Sequence, residues 1–320
     1  MKEKKELQYA LGGLLYTPGT KRSIVQKIKE HSIPNLTSLA FCLEDTIKDE
    51  LLKEAETTLG EILCELMKLD DLPFIFIRIR TPEHLQYIAN LYKDYQTIIT
   101  GYILPKFDLF NIDEYILATY SINKEHRTYI MPILETNMVA SISTRKQTLL
   151  MIKEKLDSIK NWVLNIRVGG NDFCNLYGLR RSSSQTIYDI GVIRDIFIDI
   201  INVFSQDYVV SGPVWEYFGA SDGLSKELEL DRLNGFIGKT AIHPTQLPLI
   251  YESMQVEQSD YDDAMRILNW DLSIGVAKSE NGKRMNEVKV HGKWAEKIVM
   301  LKNIYGIRPK KEGESHDYGY

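Results

Sequence analysis

Between Leu11 and Tyr251 the chain alternates eight short apolar runs with eight amphipathic stretches. The runs are Leu11–Thr17, Ser38–Leu43, Phe74–Arg80, Ile98–Leu104, Thr128–Leu134, Trp162–Val168, Tyr208–Ser211 and Gly235–Ile242. Their length and their turn-rich flanks predict strands. The stretches between and after them are Lys21–Glu30, Lys48–Leu69, Pro82–Tyr92, Asp113–Ser121, Ser143–Ser158, Tyr188–Phe204, Ser225–Asn234 and Pro244–Tyr251. In Lys48–Leu69 the apolar positions Leu51, Leu52, Ala55, Leu59, Ile62, Leu63 and Leu66 recur at helical spacing. Pro82 and Pro244 stand where proline suits a first helical turn. Eight strands alternating with eight helices over about 250 residues is the count and length of an α/β (β/α)8 barrel. A doubly wound open sheet is the rival. Nearly every run ends in polar or turn residues: Tyr16-Thr17-Pro18-Gly19, Glu44-Asp45, Arg78 with Arg80, Pro105-Lys106, Glu135-Thr136, Asn171-Asp172, Ser211-Gly212 and His243-Pro244. A barrel gathers its carboxy-terminal strand ends on one rim, whereas an open sheet gathers only those at its switch point. The pattern favours the barrel.

After Tyr251 the alternation stops. Residues 1–251 therefore form the barrel, and 252–320 a carboxy-terminal lid and tail. Glu252–Asp263 is acidic and polar, Tyr261–Asp271 and His291–Tyr305 are helical, Ser279–Glu287 is a turn or hairpin around Asn281-Gly282, and Lys310–Tyr320 is a frayed end. Of the 320 residues 44% are hydrophobic and 26% charged, enough for a sizeable core without cross-links. The net charge of −5 gives no field for nucleic acid. Cys42, Cys64 and Cys174 lack any CxxC or His-paired spacing and are expected as free thiols in a reducing compartment. The opening MKEKKELQYALGG lacks the apolar segment of a signal peptide, and no run of about 18 apolar residues occurs. The expected location is the cytoplasm, with no membrane partner.

Two successive apolar runs, the fifth and the sixth, lead into acids. Thr128–Leu134 meets Glu135, and Asn161–Val168 passes through Gly169, Gly170 and Asn171 to Asp172. Acids at successive strand ends of a parallel sheet converge, which suits a hard cation such as Mg2+ (or Mn2+) that keeps places for water and substrate. Gly169 and Gly170 allow close backbone approach. Capping of the following helices is the plainer explanation for either acid alone. Arg78 and Arg80 alternate along FIFIRIR, so period two sets both on one face of the third strand. There they clamp a substrate carboxylate or pair with Glu44 and Asp45; Arg78, farther from the loop, is the first candidate. Glu44-Asp45 could instead cap the next helix or orient water. Lys106 is a rim cation open to a substrate anion. Gly235-Phe-Ile-Gly-Lys-Thr has too few residues between its glycines for a phosphate-binding P-loop. His243 is a structural histidine at a strand end, and Gly178–Ser184 (GLRRSSS) is either an anion loop or a solvated one.

The segments LLYTPGTKR (Leu14–Arg22), CLEDTI (Cys42–Ile47), FIRIR (Phe76–Arg80), ILPKF (Ile103–Phe107), PILET (Pro132–Thr136), RVGGNDF (Arg167–Phe173), GFIGKTAIHPTQL (Gly235–Leu247) and NGKRMNE (Asn281–Glu287) stand in the order of the citrate lyase β-subunit-like, HpcH/HpaI aldolase superfamily. The chain resembles that superfamily along nearly its whole length, and GGNDFCNLYGLRRSSSQTIYD resembles a divergent branch described as TIM-barrel C–C bond lyases. The resemblance implies a (β/α)8 barrel in trimers or hexamers, with a lid reaching a neighbouring subunit. It places Mg2+ on Glu135 and Asp172 and catalysis on Arg78, Glu44, Asp45 and the lid's Glu287. A small anionic substrate falls to Tyr16, Arg78, Arg80, Lys106, Gly170 and Asn171. The implied reaction makes or breaks a C–C bond beside a carbonyl. A coenzyme A thioester comes with the resemblance, but no residue signals it independently. Three departures stand out: Cys42 replaces an acid, Arg80 replaces an asparagine, and Glu287 replaces an aspartate. A barrel that has lost catalysis and binds a ligand or partner is the alternative, and a phosphotransferase on enolpyruvate would need a nucleotide site that the sequence lacks.

Overall fold

The computed structural model describes residues 3–124, 126–269, 276–278 and 285–309. Eight strands form one parallel sheet: β1 (Gly13–Pro18), β2 (Ser38–Cys42), β3 (Phe74–Arg78), β4 (Ile99–Leu104), β5 (Tyr129–Leu134), β6 (Asn165–Val168), β7 (Val209–Ser211) and β8 (Lys239–Ala241). Their order is β7-β6-β5-β4-β3-β2-β1-β8. The two ends of that order meet. Ile237 N–H donates to Val210 O at 2.8 Å, Gly212 N–H to Gly238 O at 3.0 Å and Thr240 N–H to Gly212 O at 3.3 Å. The sheet is thus a barrel, as the alternation predicts, and helices separate its strands.

Period two sorts the inward side chains into layers. Leu14, Ala40, Phe76, Ile103, Met131, Ile133 and Leu164 fill the interior as an apolar cluster. The helix Lys4–Ala10, absent from the sequence-based expectation, adds Leu7 to it, with Leu11 just beyond. Seven residues are too few for a helical period to show. Lys4 Nζ donates to Lys160 O at 2.5 Å and Gln8 Nε2 to Leu164 O at 2.6 Å, tying this helix to the amino-terminal side of β6. Two positions further along the same strand faces come Tyr16, Cys42 and Arg78.

The differences from expectation lie at the edges of elements. β3 stops at Arg78, two residues short of the predicted run. β8 keeps only three residues, because Gly235 and Gly238 take φ +93° and +71°, outside extended backbone. Thr81 Oγ1 accepts from His84 N–H at 3.2 Å and starts the helix Pro82–Leu91 at its proline, as expected. A helix at Gly170–Leu176 follows β6 directly and carries Asp172.

The β7–β8 seam is held by buried charge. Lys239 Nζ, fully enclosed, donates to Glu227 at 2.8 Å and Asp231 at 2.7 Å. Tyr188 Oη donates to Asp231 at 2.6 Å, Ile187 N–H to Glu227 at 2.7 Å, and Arg181 Nε lies 3.6 Å from Glu227. Each buried charge has an opposite partner, the condition for tolerating it.

The chain divides into two compact units, Met1–Ser253 and Met254–Tyr320. Within the second, helices Gln258–Leu268 and Val288–Tyr305 pack together, and β9 (Val276–Lys278) pairs antiparallel with β10 (Met285–Glu287). The expected turn at Asn281-Gly282 and the tail Lys310–Tyr320 lie outside the described residues. No helix among the described residues is long and apolar enough to cross a membrane.

Removing one partner from the seam should be far costlier than removing a surface ion pair. Lys239→Met leaves Glu227 and Asp231 sharing a buried site, and should lower the unfolding free energy by about 3–5 kcal/mol. Lys155→Met, which loses only the exposed pair with Asp113, should cost less than about 1 kcal/mol. Urea denaturation of both variants tests the contrast.

Candidate active site

Glu135 follows the last residue of β5 and is 4% exposed; Asp172 sits in the first turn of Gly170–Leu176, just after β6. Gly169 makes their approach possible. A Cβ there would fall 2.4 Å from Glu135 Oε2 and 3.2 Å from Asp172 Oδ2, so only glycine leaves both carboxylates their space. Lys106 reaches the same point. Its backbone N–H donates to Glu135 Oε1 at 2.9 Å, and its Nζ lies 2.7 Å from Asp172 Oδ1 and 3.7 Å from Glu135 Oε1. Lys106 takes φ +51°, and Asn111 Nδ2 donates to its carbonyl at 2.9 Å.

The Glu135 carboxyl is pushed up from 4.5 to about 8, first by burial and then by Asp172, against the pull of Arg78 and Lys106. The pair thus calls for cationic charge. Both donors are carboxylate oxygens, and no three His, Cys, Asp or Glu side chains among the described residues form a ready-made cage. Two hard donors with room for water and substrate fit Mg2+ or Mn2+ rather than a structural zinc site. The ammonium of Lys106 already stands beside both acids.

Arg78, at the end of β3, is 8% exposed. Its guanidinium lies 2.6 Å from Glu44 Oε2, 2.9 Å from Asp45 Oδ2 and 3.5 Å from Glu135 Oε1. The ion-pair alternative for Arg78 therefore holds, and it links the acidic pair to Glu135. Its buried Nε has no hydrogen-bond partner. The ring of Tyr16 stands 6.0 Å from its guanidinium carbon. Burial, with Asp45 beside it, pushes the Glu44 carboxyl up although Arg78 opposes the shift.

Arg80 is a correction. Because β3 ends at Arg78, the alternation does not continue, and Arg80 turns to the loop after β2. Its Nε donates to Leu43 O at 2.7 Å, its Nη2 to Ile47 O at 2.5 Å, and its Nη1 pairs with Asp49. Each of its three guanidinium nitrogens is engaged with protein. Gly170 packs where a Cβ would meet Pro213 at 2.9 Å, and exposed Asn171 lines a cleft of about 220 Å3 with Cys174, Leu179 and Arg181. In the Gly178–Ser184 loop, Arg180 pairs with Glu216 at 2.9 Å, while Arg181 is buried, donates to Val214 O and stacks on Trp215. His243 caps the turn at Pro244 through Thr245 N–H and stacks on Phe218, as a structural histidine does. Glu287 begins the helix Val288–Tyr305 in the second unit, its N–H donating to His291 Nδ1 at 3.0 Å.

Sequence reasoning gave no role to Arg167. It lies on β6, 2% exposed, with Nη2 donating to Thr240 Oγ1 at 2.6 Å and the Tyr16 hydroxyl beside it. The signal was present in NIRV, a charge inside an apolar strand.

A model of the family described as C–C bond lyases of the TIM-barrel fold matches residues 5–307. Among solved structures, CitE of Mycobacterium tuberculosis in complex with magnesium, acetoacetate and coenzyme A matches with a TM-score of 0.62 and 17% identity, over 92% of this chain and 99% of that one. The citrate lyase beta subunit of M. tuberculosis with oxaloacetate and magnesium matches at 0.55 and 16%, over 78% and 98%. RipC of Yersinia pestis matches at 0.55 and 14%, over 77% and 95%. No curated protein sequence matches the chain.

The raised Glu135 carboxyl gives a pH signature. The fold holds this proton more tightly than the unfolded chain does, so without divalent cation stability should fall as pH climbs from 4.5 to about 8. A Mg2+ ion held by Glu135 would compete with the same proton, so its stabilising effect should grow over that span. Melting temperatures in chelator and in excess Mg2+ test this, and Glu135→Gln should flatten both trends.

Proposed function

The chain belongs to the family of C–C bond lyases of the TIM-barrel fold, and on that premise we propose that it is a Mg2+-dependent lyase or aldolase acting on a small carboxylated substrate. One observation carries this reading: Gly169 brings Glu135 and Asp172 to one point beside a cation. These two residues would hold the metal. When bound, Mg2+ supplies polarisation of a carbonyl oxygen and balances the negative charge that develops as the C–C bond beside it breaks or forms.

The residues around that pair supply the rest. Arg78, aligned by Glu44 and Asp45, offers a rigid fork for a substrate carboxylate. Lys106 adds a point charge at the same mouth, its ammonium standing beside both acids. Glu44, pushed up by burial, is suited to hold a proton at its carboxyl oxygen. Tyr16 covers the Arg78 guanidinium. Two departures from the superfamily leave this arrangement standing: Cys42 is buried within the barrel, and Arg80 is spent on the β2 loop. That supports a working enzyme over a lapsed one.

The finer parts of the proposal extend from the resemblance. Residues 252–320 act as a lid over the mouth of a neighbouring subunit in a trimer or hexamer, where Glu287 relays a proton. The substrate is a keto acid or an acyl thioester, coenzyme A being present in one CitE complex. The protein works in the cytoplasm.

Incubating the protein with Mg2+ and a panel of keto acids and acyl-CoA esters, and following C–C cleavage by mass spectrometry, tests the reaction. Asp172→Asn and Glu135→Gln should each abolish Mn2+ binding and turnover with the fold intact. Unchanged Mn2+ affinity in both would sink the metal assignment. Arg78→Lys should weaken ligand binding by roughly tenfold or more, as for a lost charge-assisted bond.

The lid is tested separately. Glu287→Gln should cut turnover by ~10²–10⁴-fold, typical of a lost general acid–base group, without touching metal binding. Mixing it with an Arg78→Ala protein should restore part of the activity if sites are shared between subunits. Confirmed subunit exchange with no recovery would count against the shared site.

A further inference from the structure

Arg167 takes no part in the ion pairs around Arg78. The other buried cations among the described residues are all met by acids: Arg78 by three carboxylates, Lys239 by two, Arg145 by Asp199 and Arg181 by Glu227. Arg167 is 2% exposed on β6, yet its contacts are two hydroxyls, Thr240 Oγ1 at 2.6 Å and Tyr16, and the cationic charge acting on it is another guanidinium, Arg78. No carboxylate among the described residues comes within ion-pair distance of it. An unpaired charge in such a place is costly, and its position is not remote. It sits on the strand that leads to Asp172 and shares Tyr16 with Arg78.

Resting on the Mg2+-dependent lyase reading, we infer that Arg167, with the Tyr16 and Thr240 hydroxyls, is the subsite for a substrate carboxylate distinct from the one that Arg78 takes. The favoured substrate is then a keto acid with a second carboxylate away from its metal-facing end. A carboxylate suits this place better than a phosphate. One enclosed fork offers two parallel donors to a planar group, and its two neighbours are hydroxyls rather than further cations. The additional positive charge that the sequence located at Arg80 is supplied to the barrel interior by Arg167.

Calorimetric titration of the full chain in Mg2+ tests this with matched pairs: oxaloacetate against α-ketobutyrate, and α-ketoglutarate against α-ketovalerate. Each pair differs by a carboxylate replaced with a methyl group. In the native protein at least one diacid should bind roughly 10–100-fold more tightly than its partner, the range of a charged hydrogen-bonded contact. Arg167→Met should bring the diacid to its partner's affinity, leave the monoacid within about twofold, and keep or raise the melting temperature, since a buried unpaired charge is removed. Arg167→Lys should keep part of the preference, and it decides the matter if Arg167→Met does not fold. No diacid preference in the native protein, or equal weakening of both ligands in the variants, would overturn the subsite while leaving the lyase reading intact. Absence of any Mg2+-dependent keto-acid binding would remove that reading and the subsite together.

Discussion

A closed parallel barrel leaves its inward side chains no solvent to escape into, so each must be matched by what the other strands send to the same level. Most of the interior solves this with apolar packing: Leu14, Phe76, Ile103, Met131 and Leu164 meet one another. Toward the carboxy-terminal ends the strands deliver charge instead. There Arg78, Arg167 and Lys106 stand with Glu44, Asp45, Glu135 and Asp172. Counted as ionised, these are three cations and four carboxylates, one negative charge in excess. A divalent cation reverses that sign, and the mouth then favours an anion. On the proposed reading, metal and substrate complete one charge balance that the protein leaves open.

The seam shows what a closed balance looks like in the same molecule. Lys239, Glu227, Asp231, Arg181 and Tyr188 are all buried, and every charge among them faces an opposite one. The mouth differs in its charge pairing: beside the raised Glu135 carboxyl and the unpartnered Arg78 Nε stands a buried cation, Arg167, with no acid among the described residues. Unmet polar groups gathered at the C-terminal rim of a barrel are what a site needs and a scaffold avoids.

Much of this was legible from residue order. Alternating runs gave the eight strands, and acids after two of them gave Glu135 and Asp172, because strand period and the parallel rim translate directly into position. What escaped had no decisive local signal. The helix Lys4–Ala10 is shorter than two helical periods. Arg80 looked equivalent to Arg78 because period two assumes an unbroken strand, and only the cross-strand hydrogen bonding ends β3 at Arg78. Arg167 was visible as a charge in NIRV, but its lack of a counter-charge is a property of β1, β3 and β8 as neighbours, not of its own strand.

The exchange of roles between Arg80 and Arg167 also bears on how such a site diverges. A substitution at a rim position changes recognition only if its side chain stays on the inward face. Arg80 does not; its fork is fixed by two carbonyls and Asp49, so it stiffens the loop carrying Glu44 and Asp45 rather than the ligand. That loop aligns Arg78. The metal pair depends instead on Gly169, whose missing side chain is the least negotiable feature of the rim: any Cβ there would collide with Glu135 itself. On the proposed reading, metal chemistry and recognition thus rest on separate supports. One is fixed by a backbone approach that tolerates only glycine, and the other by inward side chains that can change without moving the backbone. The chemistry can therefore persist while the substrate changes.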